Sequence, residues 1–160
     1  MKKFIHLTTL AIYFSLFSGF SHAESGVQDL SPELRSLLSK EMLSLQDGMK
    51  SILPAYVSGD LDGVARIANK IKNSYILKQK ITNTQKHELK NKLPKSFLQS
   101  DKKFHEYAGM LEHVAKERHI ELVGFYYSKL SESCVNCHSQ HAIYKFQGLH
   151  KQSRQSNDHH

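Results

Sequence analysis

Apolar residues along this chain recur at alternating steps of three and four, never in a sustained period of two, so the repeat is that of a helix throughout. Leu34, Leu38, Met42, Leu45, Met49, Ile52 and Tyr56 form one continuous stripe. Ser31-Pro32-Glu33 ahead of it supplies an N-cap, a proline at the first helical position and an acid in the first turn. Pro54 and the Ser58-Gly59-Asp60 cluster mark its expected end. A second helix is expected to open near Asp60 and to carry Val64, Ala68, Ile71 and Tyr75 inward. Beyond Ile81 the pattern fades: Thr82-Asn83-Thr84 interrupts it, and Lys86 to Lys95 is polar and contains Pro94. The expectation there is a long crossover with at most one short helical turn.

A third helix is expected from Lys95 or Ser100 to Glu117, with Phe97, Phe104, Ala108, Leu111 and Ala115 on one side. The fourth begins near His119 and bears Ile120, Val123, Tyr127, Leu130, Cys134 and Cys137. Four helices with one longer connection give an all-α fold, an antiparallel four-helix bundle over residues 24–146. Residues 147–160 are polar and expected to be a disordered tail.

The front of the chain follows a different logic. Met1-Lys2-Lys3 is a short basic segment, Phe4 to Phe20 is mostly apolar, and Ser21-His22-Ala23 places small residues at a cleavage site. Residues 1–23 therefore read as a secretory signal peptide, and the expected location is the periplasm. An uncleaved anchor is the alternative, since the run approaches the length of a membrane span. Thr8, Thr9, Ser15 and Ser18 dilute that run and favour cleavage. Cleavage would leave 137 of the 160 residues, enough for one core and no stable membrane anchor.

Charge adds a regional asymmetry. The formal net charge of +7 falls to +5 without Lys2 and Lys3. Eleven Lys and Arg lie between Arg66 and Lys103 against Glu88 and Asp101, whereas acids outnumber bases from Glu24 to Gly63. Such a region suits an acidic redox partner or anionic lipid headgroups, and equally a solvated helix face. Nucleic acid is not expected as a partner of an exported protein.

The chemistry-bearing residues lie late in the chain. Both cysteines fall in Cys134-Val135-Asn136-Cys137-His138, a Cys-x-x-Cys-His run that reads as a covalent attachment site for one c-type haem. Two thiols join the porphyrin edge, and the adjacent imidazole of His138 is the proximal iron ligand. At i, i+3 and i+4 of a helix the three side chains share a face. A structural zinc site and a redox dithiol are the alternatives. Zinc wants about four protein ligands and no third cysteine is present, while a thioredoxin-like dithiol wants a βαβ context. Because the cysteines continue the apolar stripe of the last helix, the cofactor is expected inside the end of the bundle.

With these elements in place the mature chain resembles the cytochrome c′ family, class II c-type cytochromes. The resemblance covers most of Glu24 to Lys145 and rests on the late position of Cys134 to His138. It also rests on the first-helix pattern Glu41-Met42 through Met49 to Gly59-Asp60. Cytochromes of the mitochondrial type carry the motif near the mature N-terminus, where this chain has no cysteine. The chain departs from the family after the haem histidine. Ser139-Gln140-His141-Ala142 follows, and an aromatic and basic pair appears only at Tyr144-Lys145, so the arginine that many members place near the haem edge has no direct counterpart.

The resemblance implies that the distal first-helix position decides function. Family members with an apolar residue there have five-coordinate iron and bind NO or CO. Those with methionine have six-coordinate iron and carry electrons. Met42 matches that position, which implies a single-electron carrier with His138 and Met42 as axial ligands, and no enzymatic turnover; binding of NO or CO at an open site is the alternative. Leu38, Leu45, Val123, Tyr127 and Leu130 are the candidate apolar wall of the haem pocket. Met49 lies two turns beyond Met42, about 10 Å by helix rise, so the two cannot share one iron. Met110 is expected in the core, and His105, His113 and His119 are lesser candidates. His141, on the same helix as His138, cannot reach the opposite face of the ring. Redox proteins are the expected partners, and family members are often homodimers. The signal-peptide reading predicts a mature chain beginning at Glu24; N-terminal mass analysis of the exported protein checks this, and an intact Met1 would favour the anchor.

Overall fold

A computed structural model describes residues 26–74 and 80–149; the segment 1–23, Tyr75 and the tail from residue 150 lie outside the described residues. What is described is all-helical, with no strand among the described residues, and is compatible with a helical bundle. A short 3-10 turn, Val27–Asp29, precedes five helices: α1 (Pro32–Val57), α2 (Leu61–Asn73), α3 (Asn83–Lys92), α4 (Lys95–Lys116) and α5 (Ile120–His141). None of these is long and apolar enough to cross a membrane.

The stripe on α1 behaves as its spacing implies. Leu34, Leu38, Leu45 and Ile52 are buried, and Met42, Met49 and Tyr56 are half-buried. Pro54 does not end the helix, contrary to expectation. It sits in the last turn, where the helical bond its missing N–H would make is one of the last, and the helix continues to Val57. Termination comes at Gly59, whose φ of +77° is in the left-handed region that glycine enters without penalty. Gly59 N–H donates to the Tyr56 carbonyl at 3.1 Å and Asp60 N–H to the Ala55 carbonyl at 2.9 Å, the bond pair of a Schellman stop. Asp60 then caps α2, its Oδ1 accepting from Gly63 N–H at 2.8 Å. The turn between α4 and α5 repeats the device with Arg118 at φ 61°. Arg118 N–H donates to Ala115 O at 3.2 Å and His119 N–H to Val114 O at 2.9 Å.

The expected crossover is largely a helix. Thr82 Oγ1 accepts from Gln85 N–H at 3.2 Å while Gln85 Oε1 accepts from Thr82 N–H at 2.9 Å. This capping box starts α3, so Thr82-Asn83-Thr84 is a helix start rather than a break. Leu89 of α3 is fully buried with Leu93 and Phe97 against Leu30, Leu34 and Leu38. Glu88 accepts from Ser31 N–H at 2.6 Å, tying α3 to the start of α1. That bond, with help from Lys92, holds the Glu88 carboxyl below its ordinary range. Ser31 caps α1 by position only, since its side chain makes no capping bond.

The main packing runs α1 on α2, α2 on α4 and α4 on α5, whereas α1 and α5 meet only sparingly. Two apolar clusters result. The larger includes Leu45, Ile52, Val64, Ile71, Phe104, Leu111, Val123 and Leu130, and the smaller is the α3-centred group just described. Ile120, expected on the buried face of α5, is half exposed at its first turn, and Met110, expected in the core, is 42% exposed. Gln147–Leu149 form a helical turn, so disorder does not begin at residue 147.

Among the basic residues, Lys72 and Lys116 converge on buried Glu112, which also accepts from Asn69 Nδ2 at 2.9 Å. Hydrogen bonds from Lys116 and Lys72 outweigh burial and hold this carboxyl down to about 2. A carboxyl whose folded value is depressed contributes stability above its unfolded value, here 4.5, and loses it as pH falls toward 2. Glu112→Gln is therefore expected to cost about 1–3 kcal/mol at pH 7. It should also flatten the loss of stability between pH 5 and pH 2, checked by denaturant titrations at each pH. An unchanged acid profile would contradict the assignment.

Candidate haem site

The attachment motif lies in the last two turns of α5. Cys134 and Cys137 are free thiols, half-buried, one turn apart. Cys134 packs against the larger cluster and Cys137 against the smaller. Met42 of α1 packs against both clusters. Met42 thus shares one cluster with each cysteine, on α1 and α5, which touch each other only sparingly. Met49 packs only against the larger cluster, which separates it from the Cys137 side.

His138 is half-buried and its ring stacks on Phe146 at 4.0 Å with planes 6° apart. Burial lowers its pKa, which keeps the imidazole neutral at neutral pH with a lone pair available for a metal. Burial also raises both thiols, Cys137 to about 11 with the nearby Asp101 carboxylate adding to the effect. Two unpaired thiols and a neutral imidazole on one helix face make a donor set that suits a covalently held haem. The chain offers no third thiolate for a closed zinc site of the usual kind.

The candidate wall residues divide. Leu45, Val123 and Leu130 are buried and Tyr127 half-buried in or against the larger cluster, while buried Leu38 belongs to the smaller. Val123 lies eleven residues before Cys134, roughly 16 Å along the helix axis, so Leu130 and Tyr127 are better placed beside the motif. His113 and His119 are exposed and belong to neither cluster. His141 sits edge-on to Phe97, ring centroids 5.4 Å apart, beside a cavity of about 190 Å³ lined by Pro94, Phe97, Gln140, Ile143 and Tyr144. Lys145 lies over the exposed Tyr144 ring at 5.8 Å.

One constellation has no counterpart in the reading of the sequence. Glu41, Asp101 and His105 are all buried, the first on α1 and the other two on α4. His105 Nδ1 lies 2.7 Å from the Ile71 carbonyl, so that nitrogen carries the proton and donates. Nε2 faces Glu41 Oε1 at 3.6 Å and Asp101 Oδ1 at 3.5 Å. Burial pushes the imidazole pKa down, but the two carboxylates outweigh it and raise the group to about 9. His105, a lesser candidate for the iron, is committed instead to these neighbours. The signal was present in the register: Glu41 falls between Leu38 and Leu45, and Asp101 and His105 between Phe97 and Ala108, as charges on apolar stripes.

The raised thiols yield a kinetic prediction. In folded, haem-free protein, alkylation of Cys134 and Cys137 should be slow at pH 8 and accelerate toward pH 11, because only the thiolate reacts. Mass-detected labelling against an unfolded control checks this, and equal rates at pH 8 would contradict the burial described. Comparison with protein-family models, curated proteins and solved structures finds no match to this chain.

Proposed function

We propose that the chain is an exported c-type cytochrome of the cytochrome c′ kind, an antiparallel four-helix arrangement of α1, α2, α4 and α5 that carries single electrons in the periplasm. Cys134 and Cys137 hold one haem covalently, His138 supplies the proximal ligand and Met42 the distal one. The observation that supports this reading is that Met42 packs against both apolar clusters, the larger of which also takes Cys134 and the smaller Cys137. When bound, the haem supplies a one-electron Fe(III)/Fe(II) couple, and a thioether ligand favours the reduced state relative to a second imidazole. The chain's own residues bury the ring, hold its two axial donors and keep water away. Phe146 stacked on His138 fixes the imidazole plane. Leu130 and Tyr127 stand one and two turns before Cys134 as apolar wall.

Redox proteins are the partners of this reading, and the excess of Lys and Arg between Arg66 and Lys103 favours acidic ones. Exposed Leu43, Leu53 and Val57 on α1 offer apolar area that a homodimer built on the first helices would cover.

The optical spectrum of the reduced protein tests the ligand set. The expected outcome is a six-coordinate low-spin spectrum that becomes five-coordinate and high-spin in Met42→Ala, with NO or CO then binding readily. A wild-type spectrum already five-coordinate and unchanged by Met42→Ala would replace the electron carrier with a gas-binding protein.

A further inference from the structure

We propose that Glu41, Asp101 and His105 form a second metal site, separate from the haem iron, that takes one divalent first-row transition cation such as Zn2+ and clips α1 to α4. The three side chains each offer one donor atom, and these lie within 4.8 Å of one another, all in residues that are at least nine-tenths buried. The set of one imidazole and two carboxylates matches the N and O donors that such cations accept.

Three details go beyond proximity. The His105 imidazole is oriented by donating Nδ1–H to the Ile71 carbonyl at 2.7 Å, which leaves Nε2 facing the carboxylates, where a cation would take the place of its proton. Metal-binding histidines are held in this way by an outer-shell acceptor. The distances themselves are the second detail. Nε2 lies 3.6 Å from Glu41 Oε1 and 3.5 Å from Asp101 Oδ1, the reach of an ion pair. Two donors each about 2.1 Å from one tetrahedral ion stand about 3.4 Å apart, so one ion fits among these atoms with little rearrangement. The third detail is Asp101 Oδ2, buried with no hydrogen-bond partner among the described residues. A carboxylate can bind through one oxygen or both, so Oδ2 is available for the fourth position.

Charge favours the same occupant. Two buried carboxylates beside one imidazole leave net negative charge even with the ring protonated, and burying net charge is costly. A divalent cation that replaces the ring's Nε2 proton balances both carboxylates. It would also join three helices, because Glu41 comes from α1, Asp101 and His105 from α4, and the orienting carbonyl of Ile71 from α2.

The test uses the exported full-length chain, stripped with a chelator, its haem content measured on the same sample. Zn2+ is then titrated by calorimetry and by thermal unfolding. One equivalent is expected to bind and to raise the unfolding midpoint. Asp101→Asn and His105→Gln are expected to weaken binding at least tenfold, while His159→Ala with His160→Ala leaves it intact. Zinc X-ray absorption on the wild-type protein reads the donors without any variant, and should show one nitrogen with oxygens and no sulfur. No stoichiometric uptake by the folded wild type, uptake unchanged by both substitutions, or sulfur in the zinc shell would overturn the site. Zinc uptake by a chain without haem would sustain this site and defeat the cytochrome reading, so the two failures are separate.

Discussion

Met42 of α1 packs against both apolar clusters, alone in this among the described residues. The rest of the architecture follows from how those clusters are built. The larger cluster is ordinary helix packing of α2 against α4 and α4 against α5. The smaller depends on α3, which brings Leu89 and Leu93 onto Leu34 and Leu38 and closes the open end of the bundle. Cys134 packs against the larger cluster and Cys137, one helical turn on, against the smaller. The proposed haem would take both thiols and the Met42 thioether.

Charge is handled differently at two levels along the buried face of α4. Glu112 is buried but answered by Lys72, Lys116 and Asn69, so it stays ionised and braces α2 against α4. The Glu41, Asp101 and His105 group carries two acids against one imidazole, whose Nε2 stands 3.6 Å from Glu41 Oε1 and 3.5 Å from Asp101 Oδ1. The first arrangement is balanced by lysines, and the second keeps the excess of acid on which the proposed cation site rests.

Much of the fold is legible in the sequence because its helices are amphipathic and well punctuated. The stripe from Leu34 to Tyr56, the Asp60 cap and the Gly59 stop all appear in the structure where their spacing puts them. α3 was not legible from periodicity, since only Leu89 of its ten residues is buried. Its signature is the capping box Thr82-x-x-Gln85, a local signal that a polar composition obscures. Pro54 misleads for a positional reason: a proline in the final turn removes little. Of the candidate site, the thiols and His138 are named from the spacing of their motif, and Met42 from the resemblance and its place on the α1 stripe. The acid and histidine cluster required three dimensions, since Glu41 and the Asp101 and His105 pair are sixty residues apart in the chain and meet only through the packing of α1 and α4.

The central claim is that Cys134 and Cys137 hold a haem. Mass spectrometry of the exported protein under denaturing conditions tests it most directly, because a thioether-linked haem survives unfolding whereas a merely ligated one is lost. The account predicts a wild-type mass equal to the mature polypeptide plus one haem, and the bare polypeptide mass when both cysteines are changed to alanine. A denatured wild-type mass without haem, from cells competent to attach it, would contradict it.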